Sequence, residues 1–433
     1  MKLRRKRYFV CMSGERIMHT IQPLTLRHNF SWTFLGNVVY AGCQWAMLVV
    51  LAKLGTPEMV GQFTLGLAVT APIMLLCNLQ LRAIQATDTQ GQYQFADYFS
   101  LRLVTTTLAL VMIVGVILLG GYQSDTAWII LTIGIAKAIE SISDVFYGFL
   151  QQQERMDRIA ISMIGKGVLS IVVLSIAVYL TRSLVWGVMG LVAAWAIVLL
   201  WYDIPNFYTM QGILERDFLK FPALLSFKGR AKTLLRLSWV ALPLGFVMML
   251  ISLNANLPRY FIEHYLGQRE LGIFAAMAYL QVVGTTVISA LGQSASPRLA
   301  KEAASGKQLG FRRILLKLVG IAFVLGLFGV LVAVFAGHNV LSLLYSPEFA
   351  EHSNLLVRLM VAAALWYITS ILGYAATAKR RIHKQSIVLL TTVLVSALSC
   401  YWFIPTAGLL GAANSMVITS AVAMMGYFWL LIF

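Results

Sequence analysis

Charge is scarce in this chain: Asp, Glu, Lys and Arg make up 12% of its 433 residues, and acids are the scarcer sign, 17 against 34 bases. Set against 59% hydrophobic residues and a mean hydropathy of +0.78, that scarcity excludes an ordinary soluble enzyme. Cysteine is nearly absent. Cys11, Cys43, Cys77 and Cys400 are scattered, at no spacing that suggests a metal site or a disulfide framework. All six histidines fall in loops or the N-terminal tail, so no pair shares a helix and no metal or cofactor is expected. The chain lacks a Gly-rich loop ending in Gly-Lys-Ser/Thr, which excludes ATP hydrolysis by this chain. It also lacks His-Glu-x-x-His, Gly-x-Ser-x-Gly and Cys-x-x-Cys, and its longest outer loop, about 337–353, is too short for a catalytic domain. The expectation is a transporter, not an enzyme.

What the chain does have is apolar length. A crossing of the hydrocarbon core takes roughly 20 mostly apolar residues. Twelve such stretches are read at 33–54, 60–80, 101–122, 127–150, 159–181, 184–203, 234–256, 270–291, 312–336, 354–378, 385–404 and 409–433. The fold class is therefore an all-α polytopic membrane protein. The net charge of +17 invites a nucleic-acid reading, but 27 of the 34 Lys/Arg lie on the N-terminal side of the expected membrane and 5 on the other. That asymmetry places both termini in the cytoplasm, assigns the basic excess to topology and anionic-lipid contact, and argues against nucleic acid. The run Lys2, Arg4, Arg5, Lys6, Arg7 is followed by no apolar stretch until about Trp32, unlike a cleaved signal peptide.

The two halves echo each other. Leu54-Gly55-Thr-Pro-Glu58 with Gly61-Gln-Phe63 returns as Leu266-Gly267-Gln-Arg-Glu270 with Gly272-Ile-Phe274. Gly187-Val-Met-Gly190 returns as Gly408-Leu-Leu-Gly411, and Gly148 with Arg155 returns as Gly373 with Arg380. Three echoes in one order predict two pseudo-symmetric six-helix lobes. The expected divisions are a basic cytoplasmic segment 1–32, an N-lobe 33–203, a cytoplasmic linker 204–233 carrying Arg216, Lys220, Lys228, Arg230 and Lys232, and a C-lobe 234–433. Parallel repeats of this kind hold substrate between them near the midplane.

Ionisable residues inside a membrane are costly, about 2.5–3.5 kcal/mol on insertion scales, and normally face a cavity or a partner. Lys137, Glu140 and Asp144 share one face of the fourth stretch at i, i+3 and i+7. They form either a self-neutralising pair with Asp144 near the interface, or a groove where Glu140 or Asp144 takes H⁺ or Na⁺ and Lys137 meets an anion. Asn37, Tyr40 and Gln44 make a milder stripe in the first stretch, with Asn254, Asn256 and Asn414 weaker still. Arg82 and Arg298 end equivalent stretches in the two halves, as do Arg155 and Arg380. Guanidinium forks there suit a pyrophosphate, although positive-inside topology alone also places arginines at such ends. Arg259 and Arg358 sit near outer ends, where snorkelling is the favoured reading over a release-side anion contact.

The stretch Leu51-Ala-Lys-Leu-Gly-Thr-Pro-Glu-Met-Val-Gly-Gln-Phe-Thr-Leu-Gly-Leu-Ala68, continuing to Asn78-Leu-Gln-Leu-Arg82-Ala-Ile-Gln-Ala-Thr-Asp88, resembles the Wzx-type O-antigen and capsule biosynthesis flippases. These belong to the multidrug/oligosaccharidyl-lipid/polysaccharide exporter superfamily. Leu266–Phe274 and Ser296-Pro297-Arg298 resemble the matching region of the second lobe. The resemblance implies a central cavity and alternating access that moves an undecaprenyl-pyrophosphate-linked oligosaccharide across the bacterial inner membrane. It also implies partners in a polysaccharide polymerase and chain-length machinery, and makes Asn37, Gln44 and Arg82 stronger cavity candidates. Few mid-depth cations are read in the cavity stretches, a departure from what a pyrophosphate carrier would show. A cation-coupled drug antiporter of the same superfamily is the alternative, and a membrane glycan polymerase a distant third.

Overall fold

A computed structural model describes residues 24–88, 90–211, 230–305, 308–379 and 381–432. Among the described residues all regular structure is helical. The first half comprises α1 (Leu26–Leu54), α2 (Pro57–Asn78), the short α3 (Leu81–Thr87), α4 (Phe95–Gly120), α5 (Ser124–Gln152), α6 (Met156–Thr181) and α7 (Leu184–Val198). A π-helical turn, Leu199–Asp203, then leads into α8 (Ile204–Gln211). The second half comprises α9 (Ala231–Leu266), α10 (Gln268–Tyr279), α11 (Gln281–Ala304), α12 (Gln308–Leu344), the single turn α13 (Pro347–Ala350), α14 (Ser353–Ala378) and α15 (Ile382–Ile432).

Local chemistry sets the breaks between crossings. Thr56 caps α2 by accepting the Met59 N–H, and Pro57 fills the first helical position, where no donor is required. Gly121 ends α4 in the left-handed conformation that costs glycine nothing. Gly408, at φ 58, turns α15 back on itself, so one long helix supplies the last two crossings. Ten helices have the length and apolarity to cross a membrane, the last of them doubling back in this way. α5 runs the same depth, from Thr126 beside Gln268 to Gln152 on the Asp88 carbonyl, which brings the crossings to the expected twelve.

Several boundaries differ from expectation: the first crossing starts at Leu26 and not 33, the eighth runs past 291 to Ala304, and the ninth runs past 336 to Leu344. The sixth crossing does not stop at 203: the π turn carries it to Gln211, so the expected linker begins as helix, and its centre, 212–229, lies outside the described residues. The seventh extends past 256 to Leu266, because neither Pro243 nor Pro258 ends the helix. The eighth is broken in two after Tyr279, where the Tyr367 hydroxyl donates to the Gln281 carbonyl at 2.9 Å.

α1, α2 and α4–α7 pack on one another, as do α11, α12, α14 and α15. The core shows how the lobes meet. One apolar cluster, including Met47, Phe63, Phe274, Met277 and Phe349, draws on both lobes at the end where α1 hands over to α2. Toward the opposite end, which holds the first and last described residues, it divides. One cluster there centres on Phe99, Phe146 and Phe207 of the first lobe, the other on Phe311, Ile371 and Leu430 of the second. The lobes are joined at the far end; at the termini end α9 stays with the first lobe's cluster through Leu237 and Ala241, while the cluster of α11, α12, α14 and α15 is separate from it.

Candidate functional site

The join at the far end is made by backbone. A Cβ on Gly61 of α2 would strike the Gln268 carbonyl, and one on Gly272 of α10 would strike the Pro57 carbonyl, so the two helices meet where only glycine fits. These are the glycines of the repeated outer turn. Polar contacts reinforce them. Arg269 bridges Glu58, at 3.8 Å, and Glu348, and Trp45 Nε1 donates to the Tyr345 hydroxyl at 3.2 Å. Of the two seams between lobes, the one between α2 and α9 is closed along its length. The Tyr260 hydroxyl reaches the Ala68 carbonyl, Gly245 lies against the Leu76 carbonyl, and Arg230 faces Asp97 at 3.8 Å. On the other seam α11 packs mainly on α12 and α14 of its own lobe. α1 there shows exposed Phe30, Phe34, Asn37 and Val38, and α11 shows exposed Val283, Val287 and Gln293.

Polar chemistry concentrates on one stripe of α5. Lys137, Glu140, Ser141, Asp144, Tyr147 and Gln151 recur at helical spacing and each finds a partner on another element or on the stripe itself. Lys137 donates to Glu140 at 2.8 Å and lies over the Trp195 ring; the Tyr40 hydroxyl donates to the other Glu140 oxygen at 2.7 Å. Glu140 is enclosed by protein, yet 31% of its side chain is reachable, which makes it part of a cavity wall.

Asp144 joins two arginines, Arg82 at 3.4 Å and Arg102 at 3.1 Å. Arg102 is wholly buried, at 0% exposure, and its other arm donates to the Asn78 carbonyl at 3.1 Å and the Asn78 side-chain oxygen at 2.6 Å. Those contacts serve the carbonyl end of α2, where Leu79 and Gln80 both take the left-handed conformation unfavourable to side chains. The resulting break aims Arg82 along the Tyr147 ring and onto Gln151, at 3.0 Å.

Beneath lies a fully buried node. Lys166 donates to Asp203 at 3.0 Å and to the Tyr147 hydroxyl at 2.9 Å, and Ser162 donates to Asp203 at 2.5 Å. The pair is 2% and 1% exposed. Tyr147 touches both Arg82 and Lys166, so the stripe is one connected network.

Most sequence-predicted residues can now be placed. The structure brings together Lys137 with Glu140, and Arg82 with Asp144. Gln44 is half-buried one turn from Tyr40, and Asn37 is exposed on the open seam. Arg155 is held bidentately by Asp157 at 2.9 and 2.7 Å, away from this network. Arg298 is exposed on α11 and pairs with no carboxylate among the described residues; Arg380 lies outside them. Three residues of the network, Arg102, Lys166 and Asp203, escaped sequence reading. Arg102 reads as a loop arginine because it sits near a helix start, and Asp203 as a span terminus. Lys166 and Asp203 are 37 residues apart, so no spacing rule pairs them.

Arg259 was read as an outer-end arginine with snorkelling favoured, and α9 continues seven residues beyond it, about 10 Å of helix. Its Nη1 donates to Asn256 at 2.6 Å, its buried Nε has no hydrogen-bond partner, and Tyr260 and Tyr279 flank it. It forms no ion pair among the described residues.

Two six-helix lobes around a polar cleft are a fold shared with solved transporters. An inward-facing structure of a multidrug resistance MATE family transporter matches at a TM-score of 0.69, with 15% identity over 92% of this chain and 94% of that one. An inward closed structure of the lipid II flippase MurJ also matches at 0.69, with 10% identity over 93% and 87%. The chain belongs to the polysaccharide biosynthesis protein family, whose profile matches residues 26–302. It is 29% identical over 412 residues to the capsular polysaccharide biosynthesis protein CapF of Staphylococcus aureus, covering 93% of this chain and 98% of that one.

Proposed function

We infer that this polysaccharide biosynthesis transporter is a flippase. It carries a polyprenyl-pyrophosphate-linked oligosaccharide across the bacterial inner membrane, from the cytoplasmic leaflet, by alternating access. The observation that carries this reading is Arg259: a guanidinium that pairs with no carboxylate among the described residues, with a buried unpartnered Nε and two flanking tyrosines. An unneutralised buried cation is costly unless an anion completes it, and a diphosphate supplies one with geometry suited to the guanidinium fork. The seam between α1 and α11 is the lateral exit for the prenyl tail, because its apolar faces let the tail stay in hydrocarbon while the glycan occupies the cleft. Termini on the cytoplasmic side make the conformation described here open to the cytoplasm.

Alternation requires a ligand that binds the two states differently. Of the two candidate coupling carboxylates, Glu140 is the one that can take a proton or Na⁺. It faces the cavity with one ammonium and one hydroxyl as partners, whereas neutralising Asp144 would strand the wholly buried Arg102. The test is mass spectrometry of polyprenyl-linked glycans from cells lacking the chain, with leaflet assigned by glycosidase access in spheroplasts. Intact repeat units trapped on the cytoplasmic leaflet and released by the wild-type chain, but not by Arg259→Gln, are expected. Repeat units that reach the outer leaflet unpolymerised would instead indicate a polymerase, and unchanged pools an antiporter.

A further inference from the structure

Away from the cleft, α12, α14 and α15 leave a groove of about 1560 Å³ at the termini end of the second lobe. Small-molecule pockets hold roughly 300–1,000 Å³, so this is room for a chain molecule. Its walls are apolar: Leu315 and Val319 from α12, Leu372 from α14, Met424 and Leu431 from α15. Trp429 and Phe428 stand exposed at its edge, as aromatic residues do at a membrane interface.

Its mouth is cationic. Arg312, Lys379 and Arg381 all line it. Lys379 donates to the Leu431 carbonyl at 3.1 Å and lies over the Phe311 ring, and Arg381 donates to the Leu430 carbonyl. Carbonyls satisfy hydrogen bonds without cancelling charge. The one acid lining the groove among the described residues is Glu302, whose carboxylate lies against Gly310 in the first turn of α12. Lys379 sits outside the crossing helices, and burial first, then Arg381 and Arg312, hold its ammonium below the ordinary lysine range. Among the described residues the mouth thus carries three cations against the single acid Glu302, with the carbonyl end of α15 offsetting part of the excess.

We propose that this groove binds an anionic diacyl phospholipid of the adjacent leaflet, its phosphate at Arg312, Lys379 and Arg381 and an acyl chain along Leu315, Val319 and Leu372. Charge complementarity fixes the headgroup class, and the apolar floor requires a chain attached to it. The polyprenyl-linked cargo is the disfavoured occupant, because among the described residues none of the first lobe lines the groove. A ligand held by one lobe alone gains no grip on the interface that must alternate. The proposal is independent of the flippase reading, since its readout is lipid retention rather than transport.

The test is native mass spectrometry of the full chain in detergent with added dioleoyl phosphatidylglycerol, dioleoyl phosphatidylcholine or undecaprenyl phosphate. Wild type should retain phosphatidylglycerol roughly thirtyfold or more better than phosphatidylcholine, the order expected from two or three charge contacts. Arg312→Gln/Arg381→Gln should erase that preference. Leu316→Trp, at an exposed groove position, should block retention with every charge intact. Equal retention of the two phospholipids by wild type, or retention unchanged in both variants, overturns the proposal. So does displacement of phosphatidylglycerol by equimolar undecaprenyl phosphate, which would make the cargo's carrier the occupant.

Discussion

Removing one member of the Lys166–Asp203 pair should cost more than removing both. The two side chains are 2% and 1% exposed, 3.0 Å apart, with Tyr147 and Ser162 completing their shells. Breaking a buried ion pair by deleting one partner costs about 3–5 kcal/mol, because the surviving charge stays buried without compensation. Asp203→Asn keeps an oxygen for Lys166 and an acceptor for Ser162, so the lower end applies, about 3 kcal/mol. That is a roughly hundredfold fall in the folded-to-unfolded ratio. Lys166→Met/Asp203→Leu fills the same space with apolar groups and should return to within about 1 kcal/mol of wild type, a coupling of about 2 kcal/mol or more. The assay is reversible unfolding in mixed dodecyl maltoside and SDS micelles, followed by circular dichroism. An Asp203→Asn chain within about 1 kcal/mol of wild type, or a double variant as unstable as the summed singles, would refute the reasoning.

Other perturbations separate closure, pH response and coupling. Gly61→Val places a side chain against the Gln268 carbonyl, so spin labels at Asp125 and Glu270 should move apart by electron–electron resonance while helix content is kept. Asp88 is buried enough to raise its pKa, but N–H donors of Gln92, Tyr93 and Gly91 and the Tyr98 hydroxyl hold its carboxyl below the ordinary range. The stability it contributes is thus present above the ordinary aspartate pKa and lost as pH falls through the lowered one. Hydrogen exchange at the Gln92 and Tyr93 amides should quicken over that acidic window in wild type, and be pH-flat there in Asp88→Asn apart from intrinsic rates. Arg259→Gln should lower glycan export at least tenfold with less than about 1 kcal/mol change in stability, because its charge makes no ion pair among the described residues. Transport that is unchanged in Glu140→Gln at every imposed ion gradient would remove Glu140 from coupling.

Topology was legible because solvent enforces it. Crossing length and the repeated outer turn are one-dimensional signals, and Gly61 and Gly272 of that repeat prove to be where the lobes touch. Helix-periodic spacing also found the Lys137–Glu140 pair and the face bearing Asp144. Partners on other helices were not legible. Arg102, Lys166 and Asp203 acquire meaning only when α2, α4, α5, α6 and the π turn converge. Arg82 and Arg155 were each read as a rim arginine with a counterpart in the second half, yet one joins the network and the other is occupied by its own neighbour Asp157.

The most direct measurement is made with purified chain in proteoliposomes carrying a fluorescent polyprenyl-pyrophosphate oligosaccharide in both leaflets. A glycosidase added outside reports how much substrate becomes accessible with time. The account predicts that the protected fraction empties when the wild-type chain is present, and persists with Arg259→Gln or with empty liposomes. Equal protection with and without the wild-type chain, at an imposed H⁺ or Na⁺ gradient of either direction, would contradict it.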